Sequence, residues 1–253
     1  MKDREAHPAS ASPRLTKMIL SRFESISLLL TIIVAGGGWA FIAIADEVTE
    51  GSMRTFDETV LLAMHPQSGV DQPAGPSWLE NAARDCTALG SWSVLVLIVI
   101  VVAVYLFMQR RSRFAILLLA ASITGTIVTH VLKAAFARPR PDLVHHGDFV
   151  FTASFPSGHA MMAATVYLTL GSLLMRSVKP LRLKIYALTT AMFLTLIVGV
   201  SRVYLGVHWP SDVLAGWAAG ATWATLCWLI ARWLQAHGDV ESESSELLAG
   251  PSR

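Results

Sequence analysis

Long apolar runs separated by short polar stretches dominate the chain. A helix needs roughly 20 mostly apolar residues to cross the hydrocarbon layer of a bilayer, and about six runs approach that length. They cover residues 25–45, 91–108, 114–136, 157–175, 185–203 and 212–234. The pattern predicts an all-α fold, a six-span transmembrane helical bundle. The connection at 47–90 is long, holds Pro66, Pro73 and Pro76, and contains a short amphipathic piece, Val60-Leu61-Leu62-Ala63-Met64. It reads as an interfacial helix on the membrane surface, either shaping access to the bundle or merely covering it. Residues 1–24 form a polar N-terminal segment, 25–235 a single membrane domain, and 236–253 an acidic tail whose composition predicts disorder.

Composition agrees with that class. The chain is 53% hydrophobic and 15% charged, with a mean hydropathy of +0.52, too apolar for an ordinary soluble domain. Cys86 and Cys227 are the only cysteines, and Cys227 lies inside an apolar run, which argues against a disulfide framework or a cysteine-ligated zinc site. A net charge of +2, with basic residues scattered between the runs, argues against a nucleic-acid surface.

The scattered charges instead predict orientation, because short loops rich in lysine and arginine stay cytoplasmic. Lys2, Arg4, Arg14, Lys17 and Arg22 precede the first run; Arg110, Arg111 and Arg113 follow the second; Arg176, Lys179, Arg182 and Lys184 join the fourth and fifth. The 47–90 connection carries seven acids, Glu47, Glu50, Asp57, Glu58, Asp71, Glu80 and Asp85, against Arg54 and Arg84. Both termini are therefore expected in the cytoplasm and 47–90 outside. The polar stretch before the first run is unlike a cleaved signal peptide, so that run is read as a retained span.

Three clusters of chemically capable residues fall at the ends of runs on the predicted outer side. Lys133 closes the third run and Arg140-Pro141 follows. Such residues either snorkel to the interface or clamp a phosphate, arginine as a bidentate fork and lysine as a mobile point charge. Pro156-Ser157-Gly158-His159 opens the fourth run. Ser157 suits a helix cap, while the exposed N–H groups of a helix start, with Gly158 allowing close approach, suit an anion. His159 is explained by neither. Ser201-Arg202 and His208-Trp209-Pro210-Ser211-Asp212 join the fifth and sixth runs. One helical turn separates His208 from Asp212, so the carboxylate can hold one ring nitrogen protonated and leave the other free as nucleophile or base. The alternative is a capping aspartate beside an interfacial histidine. Capping and snorkelling explain single residues, but not two histidines, a lysine, two arginines and an aspartate in one layer.

These residues, in this order and spacing, resemble the signature of the type 2 phosphatidic acid phosphatase (PAP2) superfamily. The matching positions are Lys133, Arg140 and Pro141; Pro156, Ser157, Gly158 and His159; Ser201, Arg202, His208 and Asp212. The resemblance implies that His208 attacks phosphorus and forms a phosphohistidine, that Asp212 orients it, and that His159 protonates the leaving oxygen. It assigns phosphate binding to Lys133, Arg140, Ser157, Gly158 and Arg202, with no metal and no cofactor. The implied substrate is a lipid phosphate monoester or diphosphate in the membrane: undecaprenyl diphosphate, phosphatidic acid or phosphatidylglycerophosphate. The implied site lies at the extracytoplasmic end of spans three to six, in a cell membrane. A lipid phosphotransferase using the same phosphohistidine is the alternative, and a non-catalytic anion transporter a more distant one. Arg138 lies beside Arg140 and reads as a secondary phosphate contact or headgroup anchor. His145 and His146 read as exposed loop residues, and His130 as packed or facing the lumen.

Overall fold

A computed structural model of the chain describes residues 13–65, 73–144 and 152–249, with side chains assigned over 27–65, 73–144 and 152–234. Among these residues there is no strand. The helices in chain order are α1 (Pro13–Glu50), α2 (Arg54–Ala63), α3 (Ser77–Ala88), α4 (Trp92–Met108), α5 (Ser112–Phe136), α6 (Gly158–Ser177), α7 (Leu181–Tyr204) and α8 (Pro210–Ala249).

Local chemistry sets the helix ends that matter for the site. Helix α5 stops at Ala137, whose left-handed conformation (φ 44°) turns the chain out of the helix, and Pro139 and Pro141 then bar its resumption. Helix α6 starts at Ser157, whose Oγ accepts from the Ala160 N–H at 3.5 Å. Helix α8 starts on Pro210, which needs no N–H partner in the first turn. Asp212, in that same first turn, accepts from the Trp209 N–H at 3.0 Å.

Five helical stretches are long and apolar enough to cross a membrane by length and composition, and a sixth arises if α3 and α4, bent by 48°, act as one span. This refines the expected second run. Its 17-residue helix α4 is short for a crossing, and its amphipathic neighbour α3 extends it around an elbow at 89–91. The 47–90 connection is also more than one surface helix. Helix α2 packs on α8 and α3 on α7. The Tyr204 hydroxyl donates to Ala74 O and that of Tyr167 to Leu89 O, both at 2.7 Å, which ties the connection to α7 and the elbow to α6. At the other end of the chain, α8 runs to Ala249 through the stretch whose composition predicts a disordered tail.

Helix α6 is the axis of the bundle, packed against α5, α7 and α8, while α1 leans on α8 from outside. Leu95, Val99, Leu118, Val166, Tyr167 and Val198 form part of the main core. Large apolar side chains also cover the exterior, among them Leu28, Trp39, Val101, Ile127 and Phe193. That distribution suits lipid outside, where the hydrophobic effect no longer favours one apolar helix face over another. Close packing must then join the helices, and small residues permit it. A Cβ on Gly220 would lie 2.3 Å from Met161 O of the α6 backbone, and one on Gly199 2.3 Å from the Trp217 ring. Around Gly36 of α1 no atom lies within 4 Å of such a Cβ.

The contrast predicts that Gly220→Ala destabilises the α6–α8 contact by about 1–3 kcal/mol, since backbone cannot yield as a side chain would. Gly36→Ala is expected to be neutral or mildly stabilising through helix propensity. Thermal melts of the two detergent-solubilised variants check this: equal melting temperatures would contradict the packing role of Gly220.

Candidate active site

The helix breaks described above put the three sequence clusters at one end of the bundle, where α5 ends, α6 begins, α7 ends and α8 begins. There a cavity of about 470 Å³ is lined by Lys133, Arg140, Gly158, His159, Arg202 and His208, together with Thr87, Ala88, Ser91 and Thr152. Three cations and two histidines face the same space. Among the described residues lining it, none is acidic.

Each cation is held from behind by neutral oxygens. Lys133 Nζ donates to Ala153 O. Arg140 donates from Nε to Thr152 O (3.0 Å), from Nη2 to Thr152 Oγ1 (3.1 Å) and from Nη1 to Val207 O (2.6 Å). Arg202 is buried and donates from Nη1 to Thr87 Oγ1 at 3.1 Å. For Lys133 and Arg140 these neutral acceptors fix the side chain without cancelling its charge, and with Arg202 beside them the cavity wall presents three cations suited to a phosphate. A Cβ on Gly158 would sit 3.4 Å from Lys133 Cε, an ordinary contact, which puts the start of α6 against the lysine stem.

The hydrogen bonds around His208 select its tautomer. Arg140 Nη1 lies 3.3 Å from His208 Nε2, and a guanidinium carries donors only, so Nε2 is the acceptor. The ring proton therefore resides on Nδ1. That nitrogen faces Ser154 Oγ at 3.3 Å and Asp212 Oδ2 at 3.4 Å, and the Ser154 hydroxyl itself donates to Asp212 Oδ2. At 3.4 Å the histidine–aspartate contact is long, and Ser154 shares the work of orienting the ring. His208 is 2% exposed, and burial is the main cause that pushes its imidazole down from 6.5 to about 3. The hydrogen bond and charge of Asp212 oppose that fall, and the Arg202 and Arg140 cations add to it. The ring is neutral, with an unprotonated Nε2 on the cavity wall.

Behind the ring lies a buried ionic chain. Arg138 donates from Nη1 to Asp212 Oδ1 and from Nη2 to Asp57 Oδ2, each at 2.7 Å. The sequence reading of Arg138 as a phosphate contact or headgroup anchor is thereby corrected: two buried carboxylates engage its guanidinium, which turns it from the cavity wall. Ser157 also departs from its expected place. It is fully buried, caps α6 by accepting from the Ala160 N–H and is not among the described residues lining the cavity, while its hydroxyl hydrogen stays free to donate. His130 lies exposed on α5 and is not packed. His145 and His146 lie outside the described residues.

Ser154, Asp57, Thr87 and Thr152 were not singled out from the sequence. Ser154 had a faint signal, a polar residue three positions before Ser157. Thr87 and Asp57 had none, since their partners Arg202 and Arg138 stand 115 and 81 positions away.

Comparison with known proteins matches the fold and most of the chain. The family model described as the PAP2 superfamily matches residues 94–236, more than half of the chain. This chain belongs to the PAP2 superfamily. Phosphatidylglycerophosphatase B of Bacillus subtilis is 33% identical over 184 residues, covering 71% of this chain and 85% of that protein. The crystal structure of a transmembrane PAP2 type phosphatidylglycerolphosphate phosphatase from the same organism superposes with a TM-score of 0.71 at 28% identity, covering 78% of this chain and 94% of that one. Undecaprenyl-diphosphatase of Sulfolobus acidocaldarius is 30% identical over 121 residues, 46% of this chain and 54% of that protein. The PAP2 chain described here thus has membrane-type phosphatases as relatives.

The His208 environment makes a measurable prediction for the ligand-free PAP2 protein. Nitrogen NMR of ring-labelled histidine should show His208 neutral, with the proton on Nδ1, from about pH 8 down to about pH 5, where an ordinary histidine titrates. The sign follows from burial, which favours the uncharged ring. Protonation of His208 near pH 6.5 would contradict the desolvated site.

Proposed function

We propose that this PAP2 protein is an integral membrane lipid phosphatase that cleaves a lipid phosphate monoester or diphosphate through a phosphohistidine on His208. The observation that carries this is the unprotonated Nε2 of His208 opening onto a cavity shared with Lys133, Arg140, Arg202 and His159. A pure anion-binding site needs cations but no oriented nucleophile.

In the proposed sequence, the three cations and the Gly158 N–H receive the phosphate oxygens, and Arg140 transfers its Nη1 donor from His208 Nε2 to one of them. Nε2 attacks phosphorus as the bond to the leaving oxygen breaks, and Asp212 with Ser154 stabilises the imidazolium that develops. His159 protonates the leaving oxygen, and the anionic phosphate beside it favours its protonated form over the opposing dipole at the α6 start. Water, activated by His159 in return, then attacks the phosphohistidine and frees inorganic phosphate and His208. Phosphoryl transfer depends on positioning and on charge around the equatorial oxygens. Lys133, Arg140 and Arg202 supply that charge, so we propose that the reaction needs no metal.

The names of the relatives share a lipid-tailed phosphate, which supports the same class here. Phosphatidylglycerophosphate is the first substrate to try, followed by phosphatidic acid and undecaprenyl diphosphate. The exposed Trp92 of α4 follows the elbow, beside the cavity-lining Ser91, and suits a membrane interface, with the tail left in the bilayer. Arg110, Arg111, Arg113 and Arg176 gather at the opposite end of α5 and α6. By the charge rule that end is cytoplasmic, which supports a site on the extracytoplasmic side and cytoplasmic termini.

Purified protein assayed in detergent against those three lipids tests the proposal. His208→Ala should lower phosphate release by about a thousandfold or more while remaining folded; near-normal release would remove the nucleophile assignment. Turnover by the unaltered protein should persist in excess chelator, and a loss restored by magnesium would end the metal-free account.

A further inference from the structure

Asp57 belongs to α2, in the connection before the family-matched region, yet its side chain reaches the back of the site. It is fully buried, as is Asp212, and Arg138 lies between them with one nitrogen on each carboxylate. Ser211 closes the arrangement. Its hydroxyl accepts from Arg138 Nη1 at 2.8 Å and donates to Asp57 Oδ2 at 2.6 Å, while its N–H donates to Asp57 Oδ1 at 2.8 Å. Asp57 thus sits at the N-terminal end of α8, one residue from Asp212, where the helix dipole favours a negative charge.

We infer that Asp57 is a positioning residue for phosphoryl transfer, acting through Arg138 to keep Asp212 aimed at His208. The inference rests on the His208 reading above and deepens it. Asp212 has two competing claims on its carboxylate: Arg138 on Oδ1 at 2.7 Å, and His208 on Oδ2 at 3.4 Å. The charged, shorter contact is the stronger. A part-buried guanidinium whose only carboxylate partner was Asp212 would draw both oxygens towards itself, and the long contact to His208 would be the first to go. Asp57 prevents this by taking the other face of Arg138 and half of its charge. The same geometry makes the site complete only when α2 is docked on α8.

The test uses the full-length protein and whichever lipid phosphate it hydrolyses. Asp57→Asn preserves shape but removes the charge that balances Arg138. Its kcat should fall about 10- to 100-fold, as for other small misplacements of a reacting group. KM and inhibition by vanadate should change by less than about threefold, because Lys133, Arg140 and Arg202 are untouched. Adding Arg138→Gln to Asp57→Asn should cost no further activity, the non-additivity expected of one coupled unit. A kcat within about twofold of the unaltered protein, parallel losses of kcat and vanadate binding, or additive effects of the two substitutions would each overturn the inference. If Asp57→Asn does not fold, Ser211→Ala removes only the bridging hydroxyl. That variant should lower kcat with vanadate inhibition unchanged, and an unaltered kcat would overturn the inference. An inactive His208→Ala beside a fully active Asp57→Asn sinks this inference alone, whereas an active His208→Ala sinks the nucleophile assignment beneath it.

Discussion

The site depends on one buried carboxylate. Asp212 accepts from the Arg138 guanidinium, the Ser154 hydroxyl and the Trp209 N–H, and it faces the His208 ring. Those donors come from the segment after α5, the loop before α6 and the turn before α8. A buried charge is tolerated only when its neighbours satisfy it, so each donor must be held in place, and each brings its own segment with it. The Ser157 N–H, donating to the Asp212 backbone oxygen at 2.9 Å, adds the start of α6 to the same junction. Electrostatic satisfaction of Asp212 thus assembles the end of the bundle.

The two faces of this junction have opposite character. On the inner face, Asp57 and Asp212, both buried, share the part-buried Arg138 in one ionic chain. On the cavity face, carbonyl and hydroxyl oxygens hold Lys133 and Arg140, which leaves their charge available, and Arg202 donates to the Thr87 hydroxyl beside them. His208 stands between the faces, its Nδ1 side towards the carboxylate and its Nε2 side towards the cavity. The same residue types do structural work on one side and present a field to an anion on the other, according to whether their partners carry charge. The bundle supports this division by close contact: α6 runs through the centre, and glycines on α7 and α8 let neighbouring helices approach it and one another.

Much of this was legible in the chain. Apolar run length gave the helical class and five of the span positions, because a bilayer imposes one length on every crossing. Short-range spacing gave His208 with Asp212, and the helix starts at Ser157 and Pro210, since neighbours within a turn are fixed by helix geometry. The arginine pair shows the limit. Arg138 and Arg140 are two residues apart, each before a proline, and spacing to Lys133 favoured Arg140 without saying where Arg138 goes. Ser157 shows the reverse case, a residue placed in the phosphate site by pattern and used by the fold as a cap.

By itself, then, the sequence determined the membrane class and the helix boundaries near the site, properties set by local periodicity and by contacts within a turn, while its resemblance to the family signature pointed to most side chains lining the cavity. Only the tertiary structure decided that Asp57 backs Arg138, that Ser154 shares the orientation of His208, that Thr87 holds Arg202 and that α3 bends into α4. These choices depend on which distant segments meet in space, and a buried charge accepts whichever partner the packed bundle brings within reach.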